Sequence, residues 1–371
     1  MALELADIFQ QFGPAYRQKH ASKILPSHRQ AMKAIERCRT EVLGGQVYAC
    51  SACGETRYSY HSCRNRHCPK CQHEQTEQWL DLQRNLLLPV PYFLLTFTLP
   101  AELREIARQN QKLIYDLIFK ASAQVTQLLA RDPRFVGGQI GMVGVLHTWT
   151  RNLAYHPHVH YLVPGGGLGA DGGNWHSARK CFFLPVKALS KLFRAAFRRA
   201  LQKTDLYDRI PSNVWRKKWV VHCKAVGNGQ AALKYLAPYI HRVAISNRRL
   251  ISLSSGSLES AQVTFQYRSS KTGSHKQSTL PVDKFIQRFL QHVLPRGFVK
   301  VRYYGFLSAT CRARLRALQQ QLALSLPTEL TINQPEQRDA HAGIPSWTLC
   351  PKCGDTMTLL RTLCRLTCRS P

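Results

Sequence analysis

Between Arg209 and Leu258 the chain has no aspartate and no glutamate, yet it holds Arg216, Lys217, Lys218, Lys224, Lys234, Arg242, Arg248 and Arg249. Acidic residues are scarce throughout, 21 against 52 lysines and arginines, for a formal net charge of +31. From Asp132 to Asp283 the only carboxylates between are Asp171, Asp205, Asp208 and Glu259. That scarcity counts against a nuclease or transposase built on a carboxylate triad, which must gather acidic side chains around two metal ions. Positive charge spread over several segments calls instead for a polyanionic partner such as a phosphate backbone.

Long apolar runs are missing as well. Nothing reaches the roughly 18 uninterrupted apolar residues of a membrane span. Met1 is followed by Glu4 and Asp7, not by a basic and then apolar leader. The expectation is a cytoplasmic, nucleoid-associated protein with no membrane contact. Gly165-Gly166-Gly167 lacks the Gly-Lys-Ser/Thr of a phosphate-binding loop, so it reads as a turn at a strand end and no nucleotide cofactor is expected.

Cysteine is plentiful, 13 in all. In a reducing compartment these are better read as metal ligands than as disulfides. Cys50-Ser-Ala-Cys53 followed by Cys68-Pro-Lys-Cys71 has near-ideal spacing for one structural zinc site, and four thiolates leave no open position for water. Cys38, His61, Cys63, His67, His20 and His28 lie nearby and could supply a second site. Cys350-Pro-Lys-Cys353 with Cys364 and Cys368 is a candidate zinc ribbon at the C-terminus. Cys181, Cys223 and Cys311 are isolated and read as small buried apolar residues.

Periodicity gives an α+β chain. Strands are expected at Tyr92–Leu99, Gln139–Trp149, His158–Val163, Lys218–Val226 and Val263–Arg268, and helices at Glu74–Leu87, Ala101–Ala130 and Val186–Lys203. The last of these segregates Lys187, Lys191, Arg194, Arg198 and Lys203 from Val186, Leu189, Phe193, Phe197 and Ala200, a positive face fit for phosphate. Prolines 327, 335 and 345 mark a polar linker. The expected division is a zinc-binding domain at 1–88, a larger α+β domain at 89–325, and a linker with the C-terminal ribbon at 326–371.

The chemistry lies in two short segments. In His156-Pro-His158-Val159-His160, strand alternation puts His158 and His160 on one face and Val159 on the other, so two imidazoles form a clip for a divalent ion with open positions. Lys234-Tyr235-Leu236-Ala237-Pro238-Tyr239 has helical spacing, so its tyrosines face the same way, although Pro238 removes a helical hydrogen bond and can kink the pair apart. A phenolate can attack phosphorus and conserve the bond energy in a phosphotyrosine link. Lys217, Lys218, Lys234, Arg242, Arg248 and Arg249 surround this segment as candidate DNA contacts, with Arg198 on the positive helix. Trp215 and Trp219 offer faces for unpaired bases.

Three motifs occur together: Cys63-Arg-Asn-Arg-His-Cys68-Pro-Lys-Cys71-Gln, then His156-Pro-His158-Val-His160-Tyr-Leu-Val-Pro-Gly-Gly-Gly, then Tyr235-x3-Tyr239-x2-Arg242-Val-Ala-Ile-Ser-Asn247. In order and spacing, over roughly residues 30 to 310 including Arg302-Tyr-Tyr-Gly-Phe306, the chain resembles the insertion-sequence transposases of the HUH (His, hydrophobic, His) superfamily that move by rolling-circle replication. The resemblance implies the HUH nuclease fold, a central antiparallel sheet flanked by helices and preceded by a small zinc-binding domain. It also implies a Mg or Mn ion between His158, His160 and a third ligand, and Tyr235 and Tyr239 as paired nucleophiles on single-stranded DNA at element ends and target. Related nucleases draw the third ligand from the preceding strand, which makes His147 the candidate and His156 the alternative. Two other readings remain open at this point: a replication initiator or relaxase with the same chemistry, and a zinc-finger DNA-binding protein without catalysis. A homodimer is an option for the active form.

Overall fold

The computed structural model describes residues 2–170, 172–234, 244–269, 272–324 and 348–366, with the backbone alone at 72–76. The chain begins with α1 (Leu5–Lys19) and α2 (Pro26–Glu36), then β1 (Gly45–Cys50), β2 (Thr56–Tyr60) and α3 (Gln72–Arg84). β3 (Pro91–Thr98), α4 (Arg104–Gln109), α5 (Gln111–Ala130), β4 (Met142–Trp149), β5 (Tyr155–Pro164), β6 (Gly166–Leu168), β7 (Trp175–Ser177), α6 (Val186–Leu201) and β8 (Val220–Asn228) follow. After a helical turn, α7 (229–234), come β9 (Leu250–Leu253), β10 (Gln262–Arg268), β11 (His275–Pro281), α8 (Val282–Leu290), β12 (Val301–Tyr304), α9 (Arg312–Leu324) and β13 (Met357–Leu363).

The centre is a five-stranded sheet in the order β12-β4-β5-β3-β8, antiparallel at every pairing. Its pleat sorts the side chains. Phe93, Leu95 and Phe97 of β3, Val159, Tyr161 and Val163 of β5, and Leu146 of β4 enter the largest apolar core, with Ile114, Ile118 and Phe119 of α5 and Leu189, Phe193 and Phe197 of α6. Phe97 meets Phe193 edge-on at 5.1 Å. On the opposite face Leu94, Leu162 and Val145 pack under Leu80 of α3 and Ala232 and Leu233 of α7. Each face carries helices, so the alternation read from sequence holds and both sides of β5 are buried.

A second core gathers distant parts of the chain. Phe9, Phe12, Met32 and Ile35 of the first two helices pack with Phe265 of β10 and Phe285, Ile286 and Phe289 of α8. Phe9 and Phe289 meet edge-on at 5.4 Å, and His20 Nε2 lies 2.7 Å from Asp283 Oδ1. β13 pairs antiparallel with β1, Cys50 opposite Met357 and Gly45 opposite Leu363. The expected division at 1–88, 89–325 and 326–371 therefore describes the chain, not its packing: the N-terminal helices share a core with residues 244–293, and the C-terminal strand completes the N-terminal sheet. The proposed linker, Pro327 to Pro345, lies outside the described residues.

Expected and observed elements agree closely where periodicity is strong. The long helix expected at 101–130 is split at Asn110, whose backbone leaves the helical region (φ −125°, ψ 48°) and whose side-chain amide donates to the Ile106 carbonyl at 3.1 Å. Cys181 is exposed, not buried as expected. Among the described residues no helix is long and apolar enough to cross a membrane.

His292, 3% exposed, fastens the β4–β5 hairpin. Its Nε2 donates to the Leu153 carbonyl at 3.3 Å, and Thr148 Oγ1 donates to its Nδ1 at 3.3 Å. Burial pulls its pKa down to about 4, against about 6.5 in an unfolded chain. As pH falls from about 6.5 towards 4 the unfolded state takes the proton first, so His292 supports the fold above that window and loses stability through it. Between pH 7.5 and 5.5 this single group should cost about 1 kcal/mol. Thermal unfolding of His292→Gln should start from a lower midpoint at pH 7.5 and fall less on acidification; an equal fall in both proteins would refute the assignment.

Candidate active site and metal centres

The register of three strands builds the histidine site. His147 of β4 sits directly opposite His158 of β5, and His160 sits opposite Thr96 of β3 on one side and Val145 on the other. All three imidazoles thus project from one face, and one nitrogen from each lies within 4.8 Å of the others. His147 Nδ1 is 3.0 Å from His158 Nε2. Two nitrogens held about 2.1 Å from one ion at a right angle would be about 3 Å apart, so the pair fits shared ligation.

Second partners fix two of the rings. The His156 carbonyl can only accept, so His158 donates to it from Nδ1 at 2.6 Å and keeps its lone pair on Nε2. His160 Nδ1 is 2.9 Å from Thr96 Oγ1. Such contacts orient metal-binding imidazoles. Burial keeps all three neutral, with His158 lowered to about 3, His160 to about 4, and His147 well below the usual histidine range by burial and the neighbouring imidazoles. Neutral imidazole is the ligand form. His147, expected as third ligand, is in place. His156 is not: its Nδ1 lies 2.9 Å from Arg104 Nη2, outside the trio.

Tyr235, Tyr239 and Arg242 lie outside the described residues. The chain on either side of them is well anchored. Upstream, Asn228 Oδ1 accepts from the Ala231 N–H at 3.0 Å and caps α7, whose Leu233 is buried on the histidine face beside Leu94 and Leu162. Downstream, the Ala244 carbonyl accepts from Arg249 Nη1 at 3.3 Å, while Arg249 Nη2 also donates to the Arg151 carbonyl in the β4–β5 turn.

The expected DNA contacts divide. Lys218, Lys234 and Arg248 are exposed. Lys217 is paired with Glu102. Arg249, offered as a DNA contact, spends its guanidinium on the carbonyls of Gln266, Ala244 and Arg151 and sits 5.7 Å over the Phe265 ring. Arg198 donates to Tyr207 Oη at 2.8 Å and lies 5.9 Å over Trp215; its helix packs on the sheet face opposite the histidines. Trp215 and Trp219, 9% and 3% exposed, stack on one another at 5.8 Å inside the core, so neither offers a free face to a base. Sequence reading missed His222 of β8 and took Lys224 only as part of the basic run: they sit opposite Thr96 and Leu94, exposed, on the histidine face. Alternation along the expected strand would have shown them.

The cysteines form two quartets, and neither is the one expected. Cys50 and Cys53 do not meet Cys68 and Cys71. Cys38, Cys63, Cys68 and Cys71 converge in one cluster, and Cys50, Cys53, Cys350 and Cys353 in another. In the first, Cys71 Sγ lies 3.5 Å from Cys38 Sγ and 3.6 Å from Cys63 Sγ. The edge of a zinc tetrathiolate tetrahedron is about 3.8 Å, so these residues fit the ion. The contacts from Cys38, Cys63 and Cys68 hold the Cys71 thiol far below its usual range. Cys364 is exposed and outside both quartets, and Cys368 lies outside the described residues. The signal available was glycine: Cys50-x2-Cys53-Gly54-Glu55-Thr56 and Cys350-x2-Cys353-Gly354-Asp355-Thr356 match, whereas Cys71 is followed by Gln72.

Two family models match the chain, "Transposase zinc-binding domain" over residues 8–99 and "Putative transposase" over residues 141–314. The chain is 41% identical over 374 residues to "Putative transposase y4qJ" of Sinorhizobium fredii (strain NBRC 101917 / NGR234), covering 94% of this chain and 92% of that protein. It is 30% identical over 308 residues to "Transposase for insertion sequence element IS801" of Pseudomonas savastanoi pv. phaseolicola, covering 78% and 73%. The chain belongs to the two-tyrosine rolling-circle insertion-sequence transposases of the HUH superfamily.

In this transposase the zinc-binding segment is bolted to the segment that leads into β12 of the central sheet. Arg66 donates to the Phe298 and Pro295 carbonyls at 2.6 and 3.1 Å, and the Leu294 N–H donates to His67 Nε2 at 3.3 Å, just ahead of β12. The first quartet is therefore tied by Arg66 and His67 to the segment that leads into the central sheet. Cys38→Ser should remove about one zinc per chain, measured by elemental analysis of protein purified under reducing conditions. Unchanged zinc in that variant would restore the grouping of Cys50 and Cys53 with Cys68 and Cys71.

Proposed function

We propose that this transposase nicks and rejoins single-stranded DNA at the element's ends through 5'-phosphotyrosine intermediates, with Tyr235 and Tyr239 as nucleophiles. The observation that carries the reading is the pair of anchors around the tyrosine segment. Leu233 packs on the histidine face of the sheet, and Ala244 is tied through Arg249 to the turn between the two histidine-bearing strands. Ten residues join those points, and Leu233 lies on the same face of the sheet as the histidines.

His147, His158 and His160 would hold a magnesium or manganese ion, which when bound would polarise the scissile phosphate as a Lewis acid. The phenol oxygen of one tyrosine attacks phosphorus and its proton is released to solvent. The P–O3' bond breaks, the departing oxygen takes up a proton, and the DNA is left with a free 3'-OH and a 5'-phosphate esterified to tyrosine. Attack of a 3'-OH on that ester reverses the step with one P–O bond formed and one broken, so no nucleotide hydrolysis is needed. Two tyrosines let one hold the donor strand while the other opens the acceptor. Lys224 and His222 are exposed on the histidine face and Lys234 is exposed at the end of α7, and the phosphate backbone would run past them.

Single-stranded oligonucleotide carrying the element end, incubated with the protein and Mn, should give a covalent adduct that resists denaturation. The double change Tyr235→Phe with Tyr239→Phe should abolish it, and His160→Ala should lower it by at least 100-fold, on the order expected for loss of a metal ligand. An adduct that survives both variants overturns the site.

Thr96→Val tests the support of His160 separately. The variant keeps the β-branched shape and loses the hydroxyl, so Mn binding measured by calorimetry should weaken about 10-fold while the thermal midpoint barely moves. Equal affinity in the two proteins would remove Thr96 from the site.

A further inference from the structure

We propose that Cys50, Cys53, Cys350 and Cys353 form a second, independent zinc site, a ribbon whose two knuckles come from opposite ends of the chain. Their four Sγ atoms lie within 4.8 Å of one another. The cross-knuckle contacts are symmetric, Cys50 to Cys353 and Cys53 to Cys350, each 3.5 Å.

The backbone repeats the same design twice. The Gly54 N–H donates to the Cys50 carbonyl at 2.9 Å and the Cys50 N–H to the Glu55 carbonyl at 2.9 Å. The Gly354 N–H donates to the Cys350 carbonyl at 2.9 Å and the Cys350 N–H to the Asp355 carbonyl at 2.7 Å. Both glycines sit at left-handed φ, +71° and +79°, which a Cβ disfavours. Two such loops facing each other present four thiolates to one centre. Four soft ligands with no open position select zinc in a structural role.

Packing alone gives the ribbon little support. Its apolar cluster is Cys50, Cys350 and Met357, with Tyr48 and Cys53 partly buried against it. Thr358 to Thr362 of β13 are exposed, and the described C-terminal segment is held by main-chain pairing to β1. A small sheet without an apolar core is marginal in water. The ion takes the place of a core, as in other small metal-dependent folds.

Zinc content and hydrogen exchange of the full chain under reducing conditions test this. The unaltered protein should carry two tetrathiolate ions, counted after cobalt replacement by the strong visible absorption of thiolate-bound cobalt. Cys350→Ser with Cys353→Ser should lose one, and amide exchange in residues 357–363 should rise by at least 10-fold. Cys364→Ser should keep both ions and the protected strand. One tetrathiolate ion in the unaltered protein overturns the proposal, and this holds even if the double variant fails to fold. So does loss of an ion in Cys364→Ser, or two ions retained in the double variant.

Discussion

The register of β4, β5 and β3 is the constraint on which the site depends. His147 faces His158 across one pair of strands and His160 faces Thr96 across the next, and these placements put three imidazoles and a hydroxyl on one face. Side chains alternate with a period of two, so a slip of one residue in either pairing would turn the histidines into the apolar core and expose Val159 and Tyr161. Phe97, Phe119 and Phe193 press on Tyr161 and its neighbours from the far side. Core packing against α5 and α6 thus holds the metal site in register from the opposite face of the sheet.

The same sheet explains how charge and chemistry are parted. The basic side of α6 lies on the far layer, where Arg198 is occupied by Tyr207 and Trp215. On the histidine face the edge strand contributes the exposed cation Lys224. A chain with net charge +31 carries cations on many surfaces, so nearness in sequence to the tyrosines is a weak guide to which of them face the site. Arg249 shows this: four residues beyond Ile245, it serves as a clamp on three main-chain carbonyls.

Local patterns were legible and long-range pairings were not. His158 and His160 could be placed on one face because alternation is a property of one strand, whereas His147 was a candidate only through the family resemblance, with His156 as the alternative. The cysteine quartets depend on contacts no local pattern encodes. The 14-residue gap between Cys53 and Cys68 looks like a ribbon, yet the backbone geometry of the two pairs differs, since Gly54 follows one and Gln72 the other. Cys38 and Cys63 were named only among six candidates for a second site, because Cys38 stands alone in sequence just beyond α2. The tryptophans misled for a related reason: flanking basic residues suggested exposure, while both rings complete the core beneath α6.

The N-terminal knuckle also has a temporal side. Cys350 is 297 positions beyond Cys53, so on the ribosome the front half of the ribbon waits, open, until the segment carrying Cys350 and Cys353 has emerged. Translation that stops early leaves two unmatched thiols near the amino end and a β1 with one free edge. Closing so long a loop gives a metal clip its greatest entropic effect on the unfolded chain, and it makes synthesis through Cys353 a condition for closing that loop.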